Sequence, residues 1–313
     1  MDSVSITVVL PLFMIMLAGY VAGHYKLLSE GSSAVLSRFV FNFSLPALVF
    51  ANVSTLSVAS FFDWSFIGAL GGGMGIVMLL GFLAARFVFK HDLNTAGFHA
   101  LSSMHSSTAY IGLPVVLSIF GDAGLAPGII GAVITGAVFM PIGILAIEAG
   151  IGKRKRQSPL RVIAKALGRP PIIATAAGLC VSAVGWSLPP AVMTFCETLG
   201  GAFIPCALFA AGLFLPGRSW QGARGEIAWL VSIKLLVHPA VTFILAFYIF
   251  ELSDVLLTIA VLQAALPTGV PVFVLAQQYR QFVVRSSTVI VLSTLLSLAT
   301  LSTLLLIFRD AIG

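Results

Sequence analysis

Long apolar runs, separated by short stretches that contain charged residues, Pro or Gly, dominate the chain. The runs approach the roughly 20 residues that a helix needs to cross a bilayer, and they lack the alternating polarity of a membrane β-strand. The pattern therefore predicts an all-α polytopic protein with ten transmembrane helices. These are expected at Ile6–Ala22, Phe39–Val53, Phe66–Phe87, Ala96–Ile119, Pro127–Ala149, Pro171–Trp186, Leu199–Leu215, Ala228–Phe250, Val255–Ala276 and Val283–Phe308.

The composition excludes an ordinary soluble enzyme. Of 313 residues, 59% are hydrophobic and 9% are charged, with a mean hydropathy of +1.08. A soluble domain needs roughly 25% charged residues to cover its surface. Ten crossings also leave little of the chain for an extramembrane domain.

The few charges predict the orientation, because cytoplasmic loops retain Lys and Arg. With the N-terminus outside, almost all Lys and Arg fall on the inner side, including the dense run Lys153–Arg156, whereas most acids fall outside. We expect a multi-pass protein of the cell inner membrane with both termini on the outer, periplasmic side. This distribution explains the pI of about 9.5 without nucleic-acid binding.

Motifs recur between the two halves at an offset of 157 to 160 residues. The recurring pairs are Gly112-Leu113-Pro114 with Gly269-Val270-Pro271, Pro46 with Pro205, and Pro11 with Pro171. Since each half holds five crossings, the second half enters the membrane from the opposite side. We predict two inverted five-helix repeats at 1–152 and 171–313, joined by a basic cytoplasmic linker at 153–170.

The Gly-x-Pro motifs predict broken fourth and ninth helices. Gly permits non-helical backbone angles, and Pro removes one N–H while clashing with the carbonyl four residues earlier. The half-helix N-termini after Gly112 and Gly269 then face each other and favour a bound anion. The triplet Gly71-Gly72-Gly73, by contrast, lies inside the third helix and indicates close helix packing.

Polar residues cluster just before these breaks, where hydroxyl and amide groups can bind a carboxylate. The candidate substrate-binding residues are Ser106, Ser107, Thr108, Gly112, Pro114, Gln263, Thr268, Gly269, Pro271 and Lys234. The alternative for the Ser and Thr residues is packing between helices, with hydrogen bonds to their own helix.

Lys234 is the clearest ionisable residue inside a predicted crossing, and such residues are usually functional. It either supplies positive potential to a substrate or neutralises the negative ends of the broken helices; both interpretations remain open. His238 lies one turn further on the same face. His105 and His238 are candidates for proton coupling, although a structural role is equally compatible with the sequence.

The missing residue types narrow the function. No Asp or Glu lies deep in a predicted helix, which disfavours a cation–proton exchanger and favours an anionic substrate. Three cysteines without CxxC spacing indicate neither a disulfide framework nor a metal site. Motifs for ATP binding or catalysis are missing, so we expect no cofactor and no enzyme. A membrane receptor is a second, less favoured class.

Three stretches resemble the auxin efflux carrier family, and within it the bacterial branch of malonate transporters. The resemblance covers essentially the whole chain and rests on Ser37–Asn42 with Leu45–Phe50, on Tyr110–Pro114, and on Leu266–Pro271 through Leu275–Tyr279. It implies a fold similar to the sodium/proton antiporters, with the fourth and ninth helices crossing at their breaks. It also implies transport of organic anions.

We therefore expect a secondary transporter of small carboxylates such as malonate or malate, working by alternating access and coupled to protons. A bile-acid-type sodium symporter is the alternative. The expected partners are the carboxylate substrate and the lipid bilayer, with no nucleic acid, and a homodimer is a candidate assembly.

Overall fold

The computed structural model describes residues 3–29, 31–55, 63–150, 158–215 and 224–308. This part of the chain is almost entirely helical and contains no strand. The α-helices are α1 (Ser3–His24), α2 (Ser32–Phe39), α3 (Leu45–Val53), α4 (Trp64–Leu83), α5 (Leu93–Met104), α6 (Leu113–Phe120), α7 (Asp122–Val133), α8 (Met140–Ala149), α9 (Pro159–Leu167), α10 (Pro170–Val184), α11 (Pro190–Gly201), α12 (Phe203–Phe214), α13 (Arg224–Ser232), α14 (His238–Ile244), α15 (Asp254–Ala265), α16 (Pro271–Tyr279) and α17 (Val283–Ile307). The π-helical segments are Val40–Ser44, Ala84–Val88, Thr108–Gly112, Ile134–Phe139, Ile233–Val237 and Leu245–Ile249.

Six continuous helical stretches in the described residues are long and apolar enough to cross a membrane. They are Ser32–Val53, Trp64–Val88, Asp122–Ala149, Pro190–Phe214, Arg224–Ile249 and Val283–Ile307. The pair Pro159–Lys165 and Pro170–Val184, bent by 66°, makes a seventh if it forms one span. The predicted number of ten is not confirmed by length and composition. The difference arises at four predicted crossings. The fourth and ninth are interrupted, the sixth belongs to the bent pair, and of the first only Met14–His24 counts as an apolar helix, which is below the length required.

The chain divides into two compact units. One comprises Met1–Asp63, Ala109–Val133 and Leu167–Gly217, and the other Trp64–Thr108, Ile134–Ala166 and Arg218–Gly313. Both units therefore draw segments from each predicted half of the chain. The basic run Lys153–Arg156 of the predicted linker lies outside the described residues.

Glycines let helices approach closely inside the second unit. A Cβ on Gly73 of α4 would lie 2.3 Å from Oγ1 of Thr242, and one on Gly68 would lie 2.5 Å from the ring of Phe250. A Cβ on Gly71 would meet only the Phe139 ring, at 4.0 Å. The packing interpretation of the glycine triplet is thus confirmed for one face of the helix.

Four of the π-helical segments precede a proline by two residues. The prolines are Pro46, Pro114, Pro141 and Pro239, and each lies in the first turn of the α-helix that follows. A proline lacks an N–H and clashes with the carbonyl four residues earlier, and the wider π turn relieves both problems. These prolines are therefore accommodated without ending the helix.

Candidate functional site

Two helices of the second unit are interrupted, and their extended segments pair with each other. Helix α5 ends at Met104, α15 ends at Ala265, and Ser106 forms an antiparallel bridge with Thr268. The N–H of Ser107 donates to the carbonyl of Pro267 at 2.9 Å, and the N–H of Gly269 donates to that of His105, also at 2.9 Å. The crossing therefore satisfies main-chain groups that would be costly in the apolar interior.

The break after α15 follows from its prolines. Leu266 precedes Pro267 and takes an extended conformation, as residues before proline generally do. Gly269 is required because a Cβ there would lie 2.7 Å from Nδ1 of His105. Pro271 then begins α16. The break predicted at Gly269–Pro271 is thus present and begins at Leu266.

Thr268 is held from two sides. Its hydroxyl donates to the carbonyl oxygen of Ser102, in the last turn of α5, at 3.0 Å. Its own N–H donates to the hydroxyl of Ser293 on α17 at 3.1 Å. Since the hydroxyl hydrogen of Thr268 is already used, this side chain holds the crossing in place and has no further hydrogen to donate to a carboxylate.

Lys234 occupies the π-helical segment Ile233–Val237 and is completely buried. Its ammonium donates to the hydroxyl of Ser106 at 2.8 Å and to the carbonyl oxygen of Ala264 at 2.6 Å. It also lies 3.1 Å from Nδ1 of His238. Ala264 belongs to the last turn of α15, whose carbonyls lack partners within the helix. Lys234 therefore neutralises a helix C-terminus, which is one of the two roles left open by the sequence.

The two broken helices are thus capped in equivalent ways. A last-turn carbonyl of α5, that of Ser102, accepts from the Thr268 hydroxyl, and a last-turn carbonyl of α15, that of Ala264, accepts from Lys234. The ammonium adds a full charge where the partial negative charges of helix ends lie.

A model of the family described as "Membrane transport protein" matches residues 4–305, which is nearly the whole chain. The chain belongs to this family. A protein of Rhizobium meliloti named "Putative malonate transporter" is 29% identical over 306 residues, covering 96% of this chain and 95% of that protein. An uncharacterized transporter of Methanothermobacter thermautotrophicus is 26% identical over 299 residues, covering 94% and 95%. Auxin efflux carrier component 8 of Arabidopsis thaliana is 25% identical over 353 aligned positions, again covering 94% and 95%.

These relatives confirm the resemblance to auxin efflux carriers and malonate transporters that the motifs indicate. Together with the apolar helices, they make this membrane transport protein a multi-pass membrane transporter and not an enzyme. They do not favour the sodium-dependent bile-acid symporter that the sequence left as an alternative.

Several predicted residues of this membrane transport protein meet at the crossing. They form hydrogen bonds with one another or with the ends of α5 and α15, through side chains or the main chain. These residues are Ser106, Thr268, Lys234, His238, His105, Gly269 and Ser107. Thr108 and Gln263 are buried and next to the breaks in sequence. Gly112 and Pro114 belong to the other unit.

The break predicted at Gly112–Pro114 is wrong in position. Gly112 has right-handed helical angles, φ −64° and ψ −53°, and the interruption lies at His105–Ser107 instead. The π-helical segment Thr108–Gly112 accommodates Pro114. The serines at the true break favour non-helical backbone because their side chains compete for main-chain hydrogen bonds.

Sequence reasoning missed two contributors to the site of this membrane transport protein. The first is the main-chain carbonyl of Ala264. Because every residue has such a carbonyl, the residue type at position 264 does not indicate this role. Ser293 lies 25 residues beyond Thr268, in a helix without other candidates. It is one of nine Ser and Thr residues in α17, so the sequence offers no signal that distinguishes it.

Proposed function

We propose that the chain is a secondary active transporter of small organic anions of the malonate and malate class, working by alternating access with proton coupling. The observation that carries the proposal is the buried ammonium of Lys234 beside Ser106 at the helix crossing. An intramembrane charge of this kind usually marks a substrate or ion pathway. The name of the Rhizobium meliloti relative supports malonate as a first substrate to test.

The charge balance at the crossing favours an anion. Glu148 and Glu226 are the only buried acids among the described residues, and both have partners elsewhere. Glu226 precedes Lys234 by eight residues in one helical span, which is about 12 Å at 1.5 Å per residue. Within the described part of the chain Lys234 forms no ion pair with either carboxylate, and a substrate carboxylate would balance its charge.

The binding groups follow from hydrogen-bond capacity. Lys234 uses its three donors on protein groups and would act through its potential. Ser106 accepts from Lys234, so its own hydrogen remains available for a carboxylate oxygen. We propose that the substrate carboxylate directly contacts Ser106, Ser107, Thr108 and Gln263. It would also contact Gly269 and Pro271 at the start of α16. Gly112 and Pro114, which belong to the other unit, remain candidates from the sequence pattern alone.

His238 and His105 are the proposed carriers of the coupling proton. His238 is buried, and Nδ1 of its ring faces the ammonium of Lys234. Its Nε2 has no hydrogen-bond partner in the described part of the chain. Because Nδ1 of His238 accepts from Lys234, an incoming proton would bind to Nδ1 as this hydrogen bond breaks, which would add to the positive potential and favour the anion-bound state.

Repeated backbone geometry supports two inverted repeats of five crossings, at 1–152 and 171–313. Of eight described residues with positive φ, six pair at offsets of 159 to 161, namely Lys26 with Gly185, Lys90 with Glu251, and Gly121 with Arg280. The hydrogen bonds around Lys90 and Glu251 also repeat: Phe89 to Ala84 and His91 to Ala85 correspond to Phe250 to Leu245 and Leu252 to Ala246.

The repeat also supports our proposal of ten crossings. Added to the six continuous spans are the bent pair α9–α10, helix α1, and the two interrupted crossings made of α5 with α6 and of α15 with α16. Ten crossings would put both termini on the same side of the membrane, and the distribution of Lys and Arg supports the outer, periplasmic side of the inner membrane. Inverted repeats suit a protein with two states of similar energy, inward-open and outward-open.

A thermal-stability screen tests the substrate class. Purified protein is heated with mono- and dicarboxylates at two pH values, with matched chloride salts as controls. A ligand that binds the native state raises the melting temperature. We expect a rise with malonate or a similar carboxylate that depends on pH. No shift with any carboxylate, in protein that unfolds cooperatively, would contradict the proposal.

A further inference from the structure

A second polar cluster of the same unit lies apart from the helix crossing. Nε2 of His91 and Nε2 of His99 lie 3.0 Å and 2.5 Å from the same carboxylate oxygen, Oε1 of Glu226. The three potential ligand atoms all lie within 4.8 Å of one another. Nε of Arg285 contacts the other oxygen, Oε2, at 3.0 Å. Two imidazoles therefore approach one oxygen of the carboxylate, and the guanidinium of Arg285 binds the other oxygen.

The cluster joins residues that are distant in sequence. His91 precedes α5, His99 lies within α5, Glu226 lies in the first turn of α13, and Arg285 lies in the first turn of α17. Two of the potential ligands are 127 residues apart. Short-range spacing could not indicate this set, which explains why no metal site was expected from the sequence.

The cluster is largely buried and is bordered by aromatic side chains. The side chains of His99 and Glu226 are at most 1% exposed. The rings of Phe89 and Phe282 lie 5.7 Å and 5.2 Å from that of His99 and form an apolar wall. His91 is 23% exposed and leaves a route from the surface. Such an apolar shell limits the access of water to the ligands.

We propose that His91, His99 and Glu226 bind one divalent transition-metal ion of the zinc class. Two neutral imidazoles and a carboxylate are a donor set that zinc prefers, with a fourth position for water, whereas calcium and magnesium prefer all-oxygen sites. Zinc–ligand distances of about 2.0–2.2 Å place the ligand atoms roughly 3.3 Å apart in a tetrahedron. The observed separations of 2.5 Å and 3.0 Å need only a small outward shift.

Arg285 is the positioning residue of this site. It holds Oε2 of Glu226 and leaves Oε1 directed towards both imidazoles. Outer partners of this kind orient a ligating carboxylate. The ion would tie together the starts of α13 and α17 and the N-terminal part of α5. It would thus fasten one end of the unit without taking part in substrate binding.

The test uses purified full-length protein whose affinity tag has been removed, because a histidine tag binds the same ions. Zinc binding is measured by competition with a chromophoric chelator, and Co²⁺ is added separately to record its visible ligand-field absorption. His91→Ala and Glu226→Gln remove one ligand each; His91 is partly exposed, so its replacement preserves folding. His24→Ala replaces an exposed histidine outside the cluster and serves as the control.

We expect one ion per chain, an intense tetrahedral-type Co²⁺ absorption, and a zinc-dependent rise in melting temperature in the wild type and in His24→Ala. Affinity should fall at least about tenfold in His91→Ala and in Glu226→Gln. Folded wild-type protein without stoichiometric zinc binding, or equal binding in wild type and His91→Ala, would overturn the proposal and leave an ion-paired cluster. Transport is not the readout, so this outcome is independent of the substrate assignment.

Discussion

The ammonium of Lys234 lies 2.6 Å from the main-chain carbonyl oxygen of Ala264, at the C-terminal end of an interrupted helix. A full positive charge on one helical span thus neutralises the partial negative charge at the end of another. The relationship stabilises an interruption that the apolar surroundings would otherwise disfavour. The ammonium also provides positive electrostatic potential where we propose that a carboxylate binds.

Replacement of Lys234 should affect stability as well as transport. In Lys234→Met the Ala264 carbonyl and the Ser106 hydroxyl lose their buried donor. Each unsatisfied buried group costs about 1–3 kcal/mol, so the free energy of unfolding should fall by roughly 3 kcal/mol. Thermal unfolding in detergent measures this effect, and uptake into proteoliposomes should also be lost. Lys26→Met, at an exposed lysine, is the control and should leave both unchanged. An unaltered melting temperature in Lys234→Met would contradict the capping role.

Replacement of Pro271 should separate transport from folding. Pro271 and Pro190 both occupy the first position of a helix, where alanine is tolerated. Pro271→Ala should fold but should relax the extended segment before α16, and we expect its uptake rate to fall at least about tenfold, since small errors of positioning are costly. Pro190→Ala should transport at the wild-type rate. Wild-type uptake by Pro271→Ala would argue against a site at this break.

Two neighbouring glycines offer a matched pair for helix packing. Gly73→Ala places a methyl group 2.3 Å from Oγ1 of Thr242, and overpacking of this kind costs about 1–3 kcal/mol. Gly71→Ala meets only a ring atom at 4.0 Å and should be neutral, or stabilising by up to about 1 kcal/mol through its better helix propensity. Thermal unfolding of both variants distinguishes them, and equal melting temperatures would refute the packing of α4 against Thr242.

The cap of α5 should make stability depend on acid pH. Asp92 accepts a hydrogen bond from the N–H of Thr95 at 2.9 Å, and the hydrogen bonds from Thr95 lower the pKa of its carboxyl group. A lowered folded-state pKa stabilises the protein above the ordinary value of 3.8, and this contribution is lost as the pH falls through the folded-state value.

Variants of Asp92 test this cap at neutral and acid pH. Asp92→Ala should lose about 0.5–2 kcal/mol at neutral pH and show a smaller difference from wild type at acid pH. Asp92→Asn caps nearly as well and should retain most of the stability. The same loss in both variants would show that hydrogen bonding at this end contributes little.

The sequence predicts those parts of the site that depend on local chemistry. Gly269 and Pro271 identify one break because Gly permits non-helical backbone angles and Pro disrupts the hydrogen bonds of a continuous helix. Gly112 and Pro114 carry the same motif, yet a π turn accommodates the proline there and the break lies at His105–Ser107. The position of this break depends on the pairing of Ser106 with Thr268 in the other extended segment. A sequence pattern does not reveal that pairing.

Long-range partners are the other part that the sequence could not provide. Lys234 could be recognised as an unusual charge, but its acceptor is the main chain of Ala264, 30 residues away. His91 and His99 could not be connected with Glu226 for the same reason. Composition predicts the all-helical membrane class, whereas these contacts depend on how the helices pack.

The most direct test of the proposed function is malonate counterflow. Purified protein in liposomes is loaded with unlabelled malonate and diluted into a trace of labelled malonate, with protein-free liposomes as the control. We predict transient accumulation of label above its equilibrium level, abolished in Pro271→Ala. A folded, reconstituted protein that exchanges neither malonate nor any other small carboxylate would contradict the assignment as an organic-anion transporter.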